Sequence, residues 1–210
     1  MSNSEFNNHN THGVHVIDRE SGKFGMWLFL FTELLLFGGL FLVYAVQRHQ
    51  YAADFNLAAA DLDVFVGVIN TVVLLVSSMT IAMSITAIQK GNGKLAGRLV
   101  LATVLLAVIF MINKYFEWGA KIDLNLFPGT DVMKGLDVGQ IQFFGLYFFM
   151  TGLHAVHVLI GIVMLLMIYF RIRSGRINKD SFLFLENGGL YWHLVDLVWI
   201  FLFPLLYLVT

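Results

Sequence analysis

Residues 143–170 read FFGLYFFMTGLHAVHVLIGIVMLLMIYF, an unbroken stretch with no Asp, Glu, Lys or Arg. At 1.5 Å per helical residue such a run is more than long enough for the ~20 residues that cross ~30 Å of hydrocarbon. Its residues are apolar on all sides rather than in alternation, which argues for a spanning helix and against a barrel strand. Four more runs qualify, at about 25–46, 64–88, 95–118 and 190–209. The connections between them carry breakers and charge: 47–63, then Lys90-Gly91-Asn92-Gly93-Lys94, then 121–142 with Phe127-Pro128-Gly129, and 171–189. No internal repeat appears, and no linker is long enough to divide residues 25–210. The expectation is one all-α integral membrane domain, a bundle of five transmembrane helices.

Composition agrees. Of 210 residues, 58% are hydrophobic and only 13% charged, and mean hydropathy is +0.76. A soluble domain carries about 25% charged residues, so this chain has about half the charge needed to wet a globular surface. Disorder, nucleic-acid binding and ordinary cytosolic enzymes are excluded on that ground. A net charge of −1 implies no bulk attraction to an anionic partner, and the lack of cysteine excludes disulfides and thiolate metal sites.

Residues 1–24 form a polar tail rich in Asn and His, without the basic-then-apolar pattern of a cleaved signal. The tail is expected to be frayed, its His9, His12 and His15 unliganded, and the first span to remain in the mature protein. Orientation follows from Lys and Arg. Nine (Arg19, Lys23, Lys90, Lys94, Arg98, Arg171, Arg173, Arg176, Lys179) fall on one side, against four (Arg48, Lys114, Lys121, Lys134) on the other. The positive-inside rule then places the N-terminus in the cytoplasm and Thr210 outside. Trp27, Trp118, Tyr169, Tyr191 and Trp192 fit an interfacial aromatic belt.

Ionisable side chains within the spans are functional candidates by default. Glu33 lies ~12 Å into the first helix with nothing one turn away to neutralise it, so it is expected to be protonated or to accept hydrogen bonds from another helix. His154 and His157 stand three apart, hence on one face. His193 and Asp196 repeat that spacing and are expected to pair. Two histidines at i, i+3 can ligate haem or metal, but such sites recruit further ligands and supporting partners, so interhelical hydrogen bonding is the favoured reading and no metal site is assigned. Lys114 and Glu117 read as an interfacial ion pair that snorkels to the outer surface. Asn70, Ser77 and Ser84, with Thr80 beside them, stripe the second span as helix-packing groups. Gly38, Gly39, Gly145, Gly152 and Gly161 are read as sites of close helix approach.

These residues together resemble subunit III of the haem–copper oxidases, most closely the cytochrome c oxidase type. The resemblance rests on five ordered segments over nearly all of 24–209: Trp27-Leu28-Phe29-Leu30-Phe31-Thr32-Glu33 with Phe37; Asn70-Thr71 with Leu75-Val76-Ser77-Ser78; Lys114 to Glu117-Trp118; Phe148 to Val158 through Thr151-Gly152-Leu153-His154-Ala155-Val156-His157; and Tyr191-Trp192-His193-Leu194-Val195-Asp196-Leu197-Val198-Trp199 with Phe203-Pro204.

The resemblance implies an accessory, non-catalytic subunit of the bacterial plasma membrane with no cofactor of its own. It implies oxidase subunits I and II as partners, haem and copper in the partner subunit and bound phospholipid, and leaves membership of a respiratory supercomplex open. It further implies protection of the redox subunit during turnover and support of proton uptake. Glu33 resembles a carbodiimide-reactive glutamate of relatives. The two N-terminal helices of the longest members have no counterpart here, as in the short bacterial form. Short relatives also accompany quinol oxidases and, more diverged, nitric-oxide reductases; Glu33 favours the oxidase branch. The alternatives from other classes are a small proton-conducting transporter using Glu33, His157 and His193, and a di-haem electron carrier.

Overall fold

The computed structural model describes residues 3–130, 132–179 and 181–208, with side chains from Ser21 onward except that of Lys134. Six α-helices follow one another: α1 (Asn3–Gln50), α2 (Ala52–Ala59), α3 (Val64–Gln89), α4 (Gly93–Asp123), α5 (Val138–Arg173) and α6 (Leu183–Tyr207). Five are long and apolar enough to cross a membrane, α1 contributing its Ser21–Gln50 part. Among the described residues the only β-type pairing is an isolated bridge between Asn178 and Ser181. The five expected spans are present: α1, α4 and α5 run past their apolar stretches at both ends, α3 keeps almost the expected bounds, and α6 starts earlier than its run, at Leu183, and ends at Tyr207. The first helix begins at Asn3, inside the segment expected to fray; the histidines of that tail lie outside the described side chains.

Local signals set the helix ends. Asp63 caps α3, its carboxylate accepting from Phe65 N at 2.9 Å and Val66 N at 3.2 Å. Asn92 caps α4 through Leu95 N at 3.0 Å. Gly91, between α3 and α4, takes φ +78°, the left-handed conformation that lets a three-residue connection reverse the chain. That short link makes α3 and α4 an antiparallel hairpin, and theirs is the most extensive helix pairing in the molecule.

The sequence alone did not indicate α2. It lies along the ends of α1 and α5, where Phe55 is fully buried and meets Tyr44 and Phe143 edge-on, each at 5.4 Å between ring centres. Gly139 belongs to this junction, since a Cβ there would lie 2.6 Å from Tyr51. Lys121 closes the same end of the bundle by donating to the carbonyl of Asp61. At the opposite end Lys23 pairs with Glu186 at 3.3 Å, and Asn187 donates to the carbonyl of Gly22 at 3.4 Å. The ends therefore sort as alternating spans require.

α6 sits centrally, packed on α1, α3 and α5. In its apolar stretch 56% of residues are buried, against 6% in that of α1. Close approach depends on glycines other than most of those expected. Gly161 faces the Trp192 ring, 2.7 Å from a would-be Cβ, and Gly67 faces Phe203 at the same distance. Gly38, Gly39 and Gly145 meet nothing within 4 Å, so they are not packing sites within this chain. Tyr191 and Trp192 are likewise interior rather than members of an aromatic belt, at 3% and 0% exposure.

Candidate functional site

The polar groups of the bundle gather in two places, one near mid-membrane at the seam of α1 and α5, the other in the core towards the C-terminal ends of α4 and α6.

In the first, Glu33 of α1 meets His157 of α5, with Oε2 to Nε2 at 2.9 Å. The side chains are 16% and 11% exposed. His157 Nδ1 lies 2.8 Å from the carbonyl of Leu153. A carbonyl only accepts, so Nδ1 carries a hydrogen and donates. The contact with Glu33 then holds a single proton, residing on the carboxyl or on the imidazole, and the pair is neutral overall in either form. Such a pair avoids the cost of a lone charge in hydrocarbon. Phe37, one turn beyond Glu33, packs edge-on against the imidazole at 5.2 Å, and the Tyr191 hydroxyl donates to the His157 carbonyl at 3.0 Å. The hydrogen bond expected between Glu33 and another helix thus has a specific partner in His157. His154 turns away from this pair into the core, fully buried between Phe110 and Trp199, with ring centres at 5.6 and 5.3 Å. Neither of its ring nitrogens has a hydrogen-bond partner among the described residues, so the interhelical hydrogen bond expected of it is not formed and aromatic packing takes its place.

The expected pairing of His193 with Asp196 is not formed. His193 Nδ1 instead meets the Ser78 hydroxyl of α3 at 2.6 Å, while neither carboxyl oxygen of the buried Asp196 has a hydrogen-bond partner among the described residues. Spacing along one helix put the two on neighbouring faces, but a hydroxyl from the adjacent helix took the imidazole.

In the second place Lys114 and Glu117 pair at 3.2 Å, as their spacing predicts. They do not snorkel to the surface: the two side chains are 2% and 4% exposed. Lys114 Nζ also donates to Tyr207 at 2.7 Å and to Tyr147 at 3.4 Å. It lies 5.2 Å from the Trp199 ring centre, within range of a cation–π attraction. The hydroxyls of Tyr147 and Tyr207 both donate to Glu117 Oε1, the former at 2.6 Å. Two charges and two phenols from α4, α5 and α6 thus satisfy one another, the condition under which a buried ion pair is tolerable. Sequence reading missed the two tyrosines. Their signal was a phenol inside an apolar span, which when buried nearly always has a partner.

The stripe on α3 joins helices. Asn70 accepts from Asn113 at 2.8 Å and Thr80 meets Thr103 at 2.8 Å, both on α4. The Trp192 indole of α6 donates to Ser77 at 2.9 Å. Ser84 bonds back to the carbonyl of Ile81 within its own helix. Among the described residues no group of three or more His, Asp or Glu side chains is placed to hold a metal ion.

Comparison with known proteins gives this arrangement its context. The family model described as cytochrome c oxidase subunit III matches residues 3–210. The cytochrome c oxidase subunit 3 of Thermostichus vulcanus is 31% identical over 190 residues, covering 89% of this chain and 86% of the relative. The probable quinol oxidase subunit 3 of Staphylococcus saprophyticus is 29% identical over 206 residues, covering 95% and 96%. A heme-copper oxidase subunit I+III of Aeropyrum pernix is 30% identical over 190 residues; these cover 88% of this chain but 22% of that much longer protein. With five apolar spans and a match along almost its whole length, this multi-pass protein of the bacterial plasma membrane belongs to the cytochrome c oxidase subunit III family, whose members serve haem–copper oxidases of both the cytochrome c and the quinol type.

Proposed function

We propose that the chain is the accessory subunit III of a bacterial cytochrome c oxidase, packed beside the subunit that holds haem and copper. The complex oxidises cytochrome c, reduces oxygen to water and pumps protons; this chain stabilises the redox subunit and supports its proton uptake. The observation that carries the reading is the family match over residues 3–210. The Glu33–His157 pair supports the proton-linked part: it holds one exchangeable proton under a thinly covered helix, where a neighbouring subunit or lipid can reach it. Subunits I and II, bound phospholipid and a larger respiratory assembly are the partners in this reading, with the N-terminal end of α1 on the cytoplasmic side by the positive-inside count.

Purification through an affinity tag on this chain, followed by mass spectrometry of the companions and oxygen uptake with reduced cytochrome c or a quinol, tests it. Co-purifying redox subunits and cytochrome c-driven uptake are expected. A chain that purifies alone and conducts protons in vesicles would overturn the reading in favour of a transporter. The quinol oxidase is a second reading, favoured by the near-complete two-way coverage of the Staphylococcus relative; uptake driven by quinol alone would select it.

A further inference from the structure

The basic residues at the Lys23 end of the bundle divide into those already engaged and those left open. Lys23 pairs with Glu186, and the Arg171 guanidinium lies over the Phe184 ring, 4.3 Å from its centre. Lys94 and Arg98, in the first turns of α4, and Arg173, the last residue of α5, have no acidic partner among the described residues. All three line one groove of about 770 Å³ between the two helix ends, with Gly97 and Ile172 as its apolar part and Tyr169 at its side. Gly97 presents no side chain towards Tyr169 and Ile172, which lie 3.8–4.0 Å from where its Cβ would be. Arg173 is oriented by the Tyr169 hydroxyl, 3.5 Å away. Among the described residues no acidic side chain lines the groove.

Three cations converging with no counter-charge among the described residues, above an apolar floor, at the level where a spanning helix leaves hydrocarbon, match one kind of ligand. It needs a compact anion joined to an apolar body. Phosphate oxygens suit guanidinium forks through paired, charge-assisted hydrogen bonds, and basic pockets between spanning helices recruit anionic headgroups. We propose that the groove between α4 and α5 is a binding site for the phosphate headgroup of an anionic phospholipid, seated by Lys94, Arg98 and Arg173. The site rests on the membrane-subunit reading above and deepens its lipid-binding part. It is read from the charge and shape of this chain alone, so its failure would leave the co-purification result standing.

The test is native mass spectrometry of the full chain in detergent, titrated with phosphatidylglycerol or phosphatidylcholine. Phosphatidylglycerol is expected to bind in preference, and R98Q/R173Q to weaken it about 10- to 30-fold. Arg176→Gln, which removes an exposed cation outside the groove, is expected to change nothing. Should the double variant not fold, Lys94→Gln serves, with an expected loss of about threefold to fivefold. Unchanged phosphatidylglycerol binding in R98Q/R173Q or Lys94→Gln would overturn the proposal. So would an equal loss with Arg176→Gln, which would reveal diffuse charge only. Complete displacement of the lipid by millimolar inorganic phosphate would assign the groove to a soluble anion and overturn it as well.

Discussion

The seam between α1 and α5 and the core of α4, α5 and α6 house polar groups in opposite ways. Glu33 and His157 form a two-member pair at the edge, partly open and cancelled by one shared proton. Lys114 and Glu117 sit in a closed four-member network whose donors and acceptors come from three helices. The first arrangement is cheap to disturb and accessible to a neighbour. The second is costly to disturb and almost sealed, its side chains 2% and 4% exposed. Within one bundle, depth of packing rather than residue type decides whether a polar group is locked in place or left within reach of a neighbour.

The sharpest way to break this contrast is Glu117→Ala. It leaves the Lys114 ammonium buried without its carboxylate, a change that costs ~3–5 kcal/mol. Thermal unfolding in detergent should register it as severe loss. Replacing both charges, Lys114→Met with Glu117→Leu, should recover most of that stability, because no orphaned charge remains. Equal damage from both variants would show that the phenols, not the ion pair, hold the core.

Next in size is Gly161→Ala, which drives a methyl into the rigid Trp192 ring and should cost ~1–3 kcal/mol by overpacking. Gly38→Ala, at the open edge, should stay within ~0.5 kcal/mol of the parent. The same unfolding assay compares the two; similar losses would mean that α1 is seated more tightly than its burial indicates.

Ser77→Ala removes the acceptor of the buried Trp192 indole and should cost about 1–2 kcal/mol. Trp fluorescence together with unfolding temperature would report it. The smallest effect on stability is expected for Glu33→Gln, under about 1 kcal/mol, because an amide can still bond to an imidazole with its proton on Nδ1. Assembly on a native gel should be intact, while proton uptake or turnover lifetime of the complex shifts modestly. Loss of the complex would show that Glu33 holds the assembly together, as Lys114 and Glu117 hold the core.

Hydropathy made the spans legible, and positions such as Glu33 and Lys114 were marked by their sheer cost in hydrocarbon. Their partners were not legible, because partnership crosses helices. Lys114 reaches Tyr147 and Tyr207 at 33 and 93 residues' separation, and His193 reaches Ser78 at 115. Local spacing succeeded for Lys114–Glu117, where both side chains point into one pocket. It failed for His193–Asp196, where the adjacent helix offered a better-placed hydroxyl. The helix α2 escaped notice because eight residues in a connection are too few for a hydrophobic period to stand out.

The one-sided seating of α1 has an architectural result. Since the central helices complete one another without relying on its outer surface, that flank is free to accept an extra hairpin, or a whole covalently joined neighbour, while the interior stays as it is. Lineages can enlarge such a scaffold at its margin without redesigning its middle.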